Sequence, residues 1–447
     1  MNRAMLGLGF VIMIVGSAVL IFMTIKDEES GEKETSDAVK KIILNFLQML
    51  SLAAGLPLQW TPEIEAMFST FLTISSGGTT LLVPDCEFTH ISTSEVFYMK
   101  QIFFTFVVPL VIVACLFSWS IIRVTCGPRC CKIKKRNFKN YTILSIVLML
   151  FLCYPMLVKQ CLSMLKCVLV GDKRYLIADL EEPCFEGTHL DYLLLLTLPQ
   201  IIIVVIGLPL LSLFIIWRNN HHFERYNFRM RYGLLYLGYR ENREWWETVI
   251  AFRKVLVVMI GTFGTMMGAA DLQLFLALFV IFISILVHLV GKPFDTNEPK
   301  SLLLHHLECV ALTLCWLTFW GGMIFYLGHE RPELVADGVK VVMSMLIVGA
   351  NVIFLVFSTY KFVHEFIQDF KHKAEVRRQS RLSITHLKSK VNYASMIGNR
   401  QKQKSVKVAP ETRFQGDDET KAGEESDEHL QLRTLLDGDD RALNSWD

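Results

Sequence analysis

The chain has 447 residues, of which 52% are hydrophobic and only 20% charged, with a formal net charge of +2. So apolar a balance excludes a soluble surface over the whole chain and calls for one that faces lipid. The near-zero net charge carries no message of its own, because the charged residues are swept into the gaps between long apolar runs.

A helix needs about 20 apolar residues to cross a hydrocarbon core roughly 30 Å thick, since backbone amides cannot be left unpaired in lipid. Eight stretches satisfy this: Ala4 to Ile25, Phe97 to Ile122, Tyr141 to Val158, Tyr192 to Trp217, Val249 to Met266, Leu272 to Val290, Leu302 to Leu327 and Val335 to Phe362. The expected fold is all-α: a polytopic membrane protein with about eight spans, a seven-helix core over 97–363 and an N-terminal span or uncleaved signal anchor over 1–25. Two weaker stretches, Ile42 to Leu58 and Ile64 to Val83, are short or broken by Gly, Pro, Ser and Thr. They are expected as interfacial or re-entrant helices within an external segment, 26–96. The alternative is that Ile42 to Leu58 crosses, which reverses the side of the N-terminus.

Basic loops stay on the cytoplasmic side. The loop RVTCGPRCCKIKKRNFK (123–139), the arginine-rich Arg218 to Arg243 and the segment after Lys361 are therefore expected inside, with Lys159 to Asp191, its acidic Asp179 to Glu182 and the short connections Gly268 to Asp271 and Gly328 to Glu333 outside. Of the 11 cysteines, Cys86, Cys161, Cys167 and Cys184 fall in the outer segments, which predicts two disulfides. Cys167 with Cys184 would close one loop and leave Cys86 for Cys161. Cys126, Cys130 and Cys131 in CGPRCC read as acylation sites or as plain reduced thiols.

The strings KIILNFLQMLSLAAGLPLQW, PDCEF, CLSMLKCVLVGDKRYLIADLEEPCFEGTHLDY, LPQIIIVVIGLPLLSL, RYGLLYLGYRENREWWETVIAFRKVL and LVHLVGKPFDTNEPKSLLLHHLE follow in order. Over roughly residues 38 to 366 they resemble the C-terminal multi-span module of large protist and algal surface proteins, described as TRP-like and distantly similar to fungal TRP-like proteins. The resemblance implies a membrane protein with a channel or sensory role. In that group the module follows a long ectodomain, which this chain is expected to lack almost entirely.

In WWETVIAFRK, Trp245 and Trp246 are expected as headgroup anchors. Glu247 and Lys254 share a helical face, and with Arg253 they either pair with a neighbouring helix, coupling it to the cytoplasmic loop, or snorkel. Ionisable groups at membrane depth are default functional candidates. Here they are His288, His305 and Glu308, placed to meet as a pore or gate cluster, with Asn351 deeper in the last span and Lys340 near its start. Pro209, with Pro155 and Pro199, reads as a hinge or a packing bend. His305 and His306 are adjacent, face different directions and predict no metal site; no cofactor, catalytic residue or nucleic-acid partner is expected. The tail, 364–447, is expected to be disordered and cytoplasmic, with Ser380 and Ser383 in RRQSRLS as phosphorylation candidates. The expected partners are the bilayer of the plasma membrane or an endomembrane, with a homo-oligomer and tail-binding cytoplasmic proteins left open. A TRP-like channel or subunit is the first functional reading. A seven-helix receptor and a non-transporting anchor or scaffold are the alternatives, and no motif for an enzyme is present.

Overall fold

In the computed structural model the described residues are 18, 21, 22, 25, 35–56, 58–75, 92–125, 135–267 and 270–405. The chain is mostly helical. The helices in order are α1 (Thr35–Ala53), α2 (Pro62–Ser75), α3 (Thr93–Thr125), α4 (Lys135–Ser163), α5 (Gly187–Arg218), α6 (Tyr226–Tyr236), α7 (Trp246–Met267), α8 (Ala270–Gly291), α9 (Pro299–Glu330) and α10 (Asp337–Ser405). Among the described residues six helices are long and apolar enough to cross a membrane: α3, α4, α5, α8, α9 and the part of α10 up to Asp369. Six of the eight expected spans are thus found among the described residues. Helix α7 is charged at Glu247, Arg253 and Lys254 and is not among the six, and most of Ala4 to Ile25 lies outside the described residues.

Two compact units are distinguished, 1–125 with 134–370, and 126–133 with 371–447. The second is described only over the helical residues 371–405, a stretch expected to be disordered. The first holds the helical bundle.

Between α4 and α5 a small antiparallel sheet interrupts the helices. Strands β1 (Cys167–Val170), β2 (Lys173–Leu176) and β3 (Asp179–Pro183) pair in the order β1-β2-β3, with Val170 opposite Lys173 across a turn at Gly171, whose φ of 64° a glycine adopts without strain. The Cys167–Cys184 disulfide closes this loop over Leu176. His189 locks it to the helix ends: its Nδ1 accepts from the Phe185 amide at 3.0 Å, and its Nε2 lies 3.0 Å from the Met164 carbonyl. The sheet also ties to α3, through Ser94 N–H on Asp179 at 2.9 Å and the Tyr98 hydroxyl on Glu182 at 3.0 Å.

These ties define one end of the bundle, the disulfide end. The other, basic end gathers the start of α4, α6 and the α8–α9 turn. Arg231 donates to Asn140 at 2.8 Å, Arg243 to the Gly291 carbonyl at 3.0 Å, and the Arg240 amide to the Pro293 carbonyl at 2.7 Å.

Helix α1 runs between these ends through the middle. Its first turns meet the basic end, where Lys41 Nζ donates to the carbonyls of Leu234 and Leu237 at 2.8 and 2.9 Å. Beyond its last turn, Trp60 packs on Phe68 and Phe325, and Thr61 hydrogen-bonds Ser344 at 2.6 Å. Nearly every α1 side chain is buried, including Lys40, Lys41, Asn45, Gln48 and Ser51. The stretch expected as an interfacial or re-entrant helix is thus, among the described residues, a helix enclosed by the bundle. Its partners include α9 and α7, and on α9 Gly322 admits Leu58 and Trp60, since a Cβ there would lie 2.7 and 2.6 Å from their side chains. By contrast only 6% of the apolar window of α3 is buried, against 61% for α4, so α3 presents most of its circumference to the surroundings and α4 faces inward.

A candidate functional site in the buried charge network around the central helix

Residues Glu247, Arg253 and Lys254 sit on the first half of α7, between α1 and α9. Successive helix residues point about 100° apart, so Arg253 and Lys254 reach different neighbours. Arg253 meets Glu308 of α9 at 3.2 Å, both side chains being buried. Lys254, 3% exposed, turns to α1 and donates to Asn45 Oδ1 and Gln48 Oε1, each at 2.6 Å, with its ammonium 5.2 Å from the centre of the Phe151 ring. Glu247, nearly two turns earlier on the Lys254 face, accepts from the Tyr239 hydroxyl at 2.7 Å. Tyr239 belongs to the α6–α7 connection. Burial, with Glu247 beside it, holds its phenol well above the ordinary tyrosine range, which keeps it protonated and able to donate. The Lys41 ammonium lies 4.8 Å from the centre of the same ring.

The network therefore contains two carboxylates, Glu247 and Glu308, against two cations, Arg253 and Lys254, each buried and each held by at least one polar partner. Burying a charge is tolerable only where it is paired and hydrogen-bonded. Chemically the arrangement can hold charge in the bundle interior and link α1, α7, α9 and the α6–α7 connection through polar contacts.

A groove with a volume of about 140 Å³ adjoins the network, its lining including Tyr154, Pro209, Ser212, Glu247 and Lys254. Pro209 lacks an amide proton, and the carbonyl four residues earlier, Val205, accepts from the Tyr154 hydroxyl at 2.9 Å instead. The preceding helix widens to π-type turns over Leu193–Thr197 and Ile201–Gly207. Pro209 thus follows directly on the π-type turns, and the Val205 carbonyl ahead of it is satisfied from α4.

His288, His305 and Glu308, expected to meet as one cluster, separate into two. Glu308 goes to Arg253, while His288 of α8 stacks on His305 of α9 with ring centres 4.7 Å apart. Cys309 Sγ lies 3.8 Å from His305 Nε2. His306 points elsewhere and binds the Leu302 carbonyl at 2.9 Å. Asn351 joins helices: its amide donates to Thr318 of α9 at 3.0 Å and to the Ile347 carbonyl at 2.8 Å. Lys340 pairs with Asp337 within α10 at 3.1 Å.

Two further expectations are corrected. Trp245 is 38% exposed, as an anchor would be, but Trp246 is buried against Gly291, where only a glycine leaves room for the indole ring. Cys161 makes no disulfide: α4 continues to Ser163, past the expected end at Val158, and turns this cysteine inward as a buried free thiol 3.8 Å from the Thr197 carbonyl. Cys153, Cys115 and Cys315 are likewise buried free thiols. Cys86, Cys126, Cys130 and Cys131 lie outside the described residues, as do the side chains of Ser380 and Ser383 on α10.

The partners on α1 were not singled out by sequence. The signal was present: Lys41, Asn45 and Gln48 recur at spacings of four and three, a polar stripe on one face of a weakly apolar helix. The pairing of His305 with Cys309 is hidden in the sequence by the adjacent His305 and His306, whereas residues four apart share a helical face.

The cysteine repeat modular protein A of Toxoplasma gondii is 24% identical to this chain over 230 residues, a match that takes in 48% of the chain and 7% of that relative. No family model and no solved structure matches. This chain is therefore similar, over about half its length, to a small part of a much longer cysteine-repeat protein.

Proposed function

We propose that the chain is a TRP-like multi-span module acting as an ion channel or as a channel-like sensory subunit. The observation that carries this is the buried network of Glu247, Arg253, Lys254 and Glu308 around α1. Ionisable groups at membrane depth cost energy that packing with apolar residues would avoid, so they mark pathways, sensors and gates. In this role the network couples the helices to the α6–α7 connection: movement of Tyr239 is felt at Glu247, and movement of α1 at Lys254. Helix α5, with its π-type turns, supplies the adaptable neighbour. The match to a small part of a much longer protein supports a module that a larger protein also carries.

In this proposal α3, α4, α5, α7, α8, α9 and α10 are seven spans, the basic end is cytoplasmic and the disulfide end external or lumenal. The C-terminus is then cytoplasmic. Helix α1 makes a further crossing from the basic end outward. Ala4 to Ile25, if it spans, must then run inward and places Arg3 on the outer side, opposite to the first expectation.

Purified full chain recorded in planar bilayers tests the proposal. A conductance altered by Glu308→Gln is the expected result. No conductance under any voltage, tension or lipid composition overturns it and favours the receptor-like alternative, for which the groove lined in part by Glu247 and Lys254 is the supporting observation.

A further inference from the structure

The stacked pair His288 and His305, with Cys309, lies beside the charge network, and Glu308 of that network is turned to Arg253 instead. The three bring two ring nitrogens and a sulfur within 4.8 Å of one another, across α8 and α9. His305 and Cys309 are four residues apart and lie on one face of α9, the spacing by which a helix presents two ligands to one ion. His288 closes the set from the last turn of α8. A second observation is independent of this proximity. His288 is 2% exposed, and its Nε2 is buried without a hydrogen-bond partner. A sealed polar nitrogen left unpaired bears its full desolvation cost. A metal ion removes that cost by accepting the lone pair.

We propose that His288, His305 and Cys309 bind a soft d10 cation, Cu(I) or Zn(II), and so clamp α8 to α9 at the basic end of the bundle. Imidazole and thiolate are the donors that such ions select. The thiolate also balances charge. With two neutral imidazoles and one thiolate, Cu(I) gives a complex without net charge, which suits a buried site and a three-ligand set. Zn(II) leaves one positive charge and a fourth position, which water fills from the half-exposed side of His305 and Cys309. Binding displaces the Cys309 proton to solvent, and no electron is transferred. The rings, now 16° from parallel, must turn so that both lone pairs converge on the ion.

The test uses the full chain in nanodiscs, stripped of metal, with Cys86, Cys126, Cys130 and Cys131 replaced by serine, which leaves only the buried free thiols Cys115, Cys153, Cys161 and Cys315 besides Cys309. Cu(I) and Zn(II) are each titrated against a chromophoric chelator. One equivalent of at least one ion should bind. Cys309→Ser and His288→Ala should each weaken it by more than the roughly 10–100-fold that loss of an outer-shell partner costs, while His306→Ala leaves it unchanged. Because a variant can fail through misfolding, protection is read as well. In the otherwise intact protein the bound ion should slow alkylation of Cys309, mapped by mass spectrometry, and Co(II) should show a thiolate charge-transfer band that Cys309→Ser abolishes. Failure of both ions to bind, binding that survives Cys309→Ser, or alkylation of Cys309 at the same rate with and without metal overturns the proposal.

Discussion

Arg253 and Glu308 are the pair in which a single substitution separates two kinds of energy. Removing one partner strands the other charge in a closed interior. Arg253→Met should therefore destabilise the protein by about 3–5 kcal/mol, measured as thermal or denaturant unfolding in detergent. Arg253→Met combined with Glu308→Leu should recover most of that loss, because a well-packed apolar pair dispenses with both desolvation costs. If the double variant conducts like the native chain, the pair is structural; if it is stable but silent, the pair acts in gating. The same logic applies to Tyr154, whose hydroxyl serves the Val205 carbonyl ahead of Pro209. Tyr154→Phe should cost about 1–3 kcal/mol in the same measurement, the penalty for a buried acceptor left unpaired. At this scale the sequence disclosed which residues are unusual but not whom they meet. Glu247, Arg253, Lys254 and Glu308 stand out in apolar runs, whereas Asn45 and Gln48 acquire meaning only once Lys254 is seen between them.

Helix α1 shows why the elements were unequally legible. Hydropathy detects contact with lipid, and α3, α5, α8 and α10 declare themselves because much of each faces outward. A helix enclosed by other helices has no such requirement. It can keep Lys40, Lys41, Asn45 and Gln48, and its apolar signal falls accordingly. Its position depends instead on close approach, which Gly322 permits. Gly322→Val should push Leu58 and Trp60 away and cost about 1–3 kcal/mol of stability. The disulfide loop was legible from the spacing of Cys167 and Cys184. Cys167→Ser should lower stability by roughly 3 kcal/mol on the chain-entropy estimate for a loop of this length, visible as a lower melting temperature without reductant and a smaller response to it. The second bridge is not formed because Cys161 lies inside a helix that runs on to Ser163, past the apolar stretch that ends at Val158.

For the molecule as a whole, the loop charges and the bundle's internal ties agree on which loops lie together. The start of α4, α6 and the α8–α9 turn share one end, and the sheet, the start of α3 and the disulfide share the other. Single cysteines introduced at Leu180 and His221 in sealed vesicles should label from opposite sides with an impermeant maleimide; labelling from one side would refute the proposed orientation. The span count was less legible than the arrangement of ends, since α1 and α7 trade apolar character for buried polar partners.

The enclosure of α1 has a consequence for how the protein is made. Residues 35–53 leave the ribosome well before α7 and α9, yet those later helices supply Lys254 and the close glycine that α1 needs. On its own this segment is a poor substrate for lateral release into lipid, with two lysines and two side-chain amides on 19 residues. It must wait at the translocon, at the membrane surface or with an insertion chaperone until the rest of the bundle can close round it. Truncation after α6 should therefore leave α1 open to protease or to water-borne labels, and extension through α9 should bury it, so that the earliest described helix is among the last to be seated.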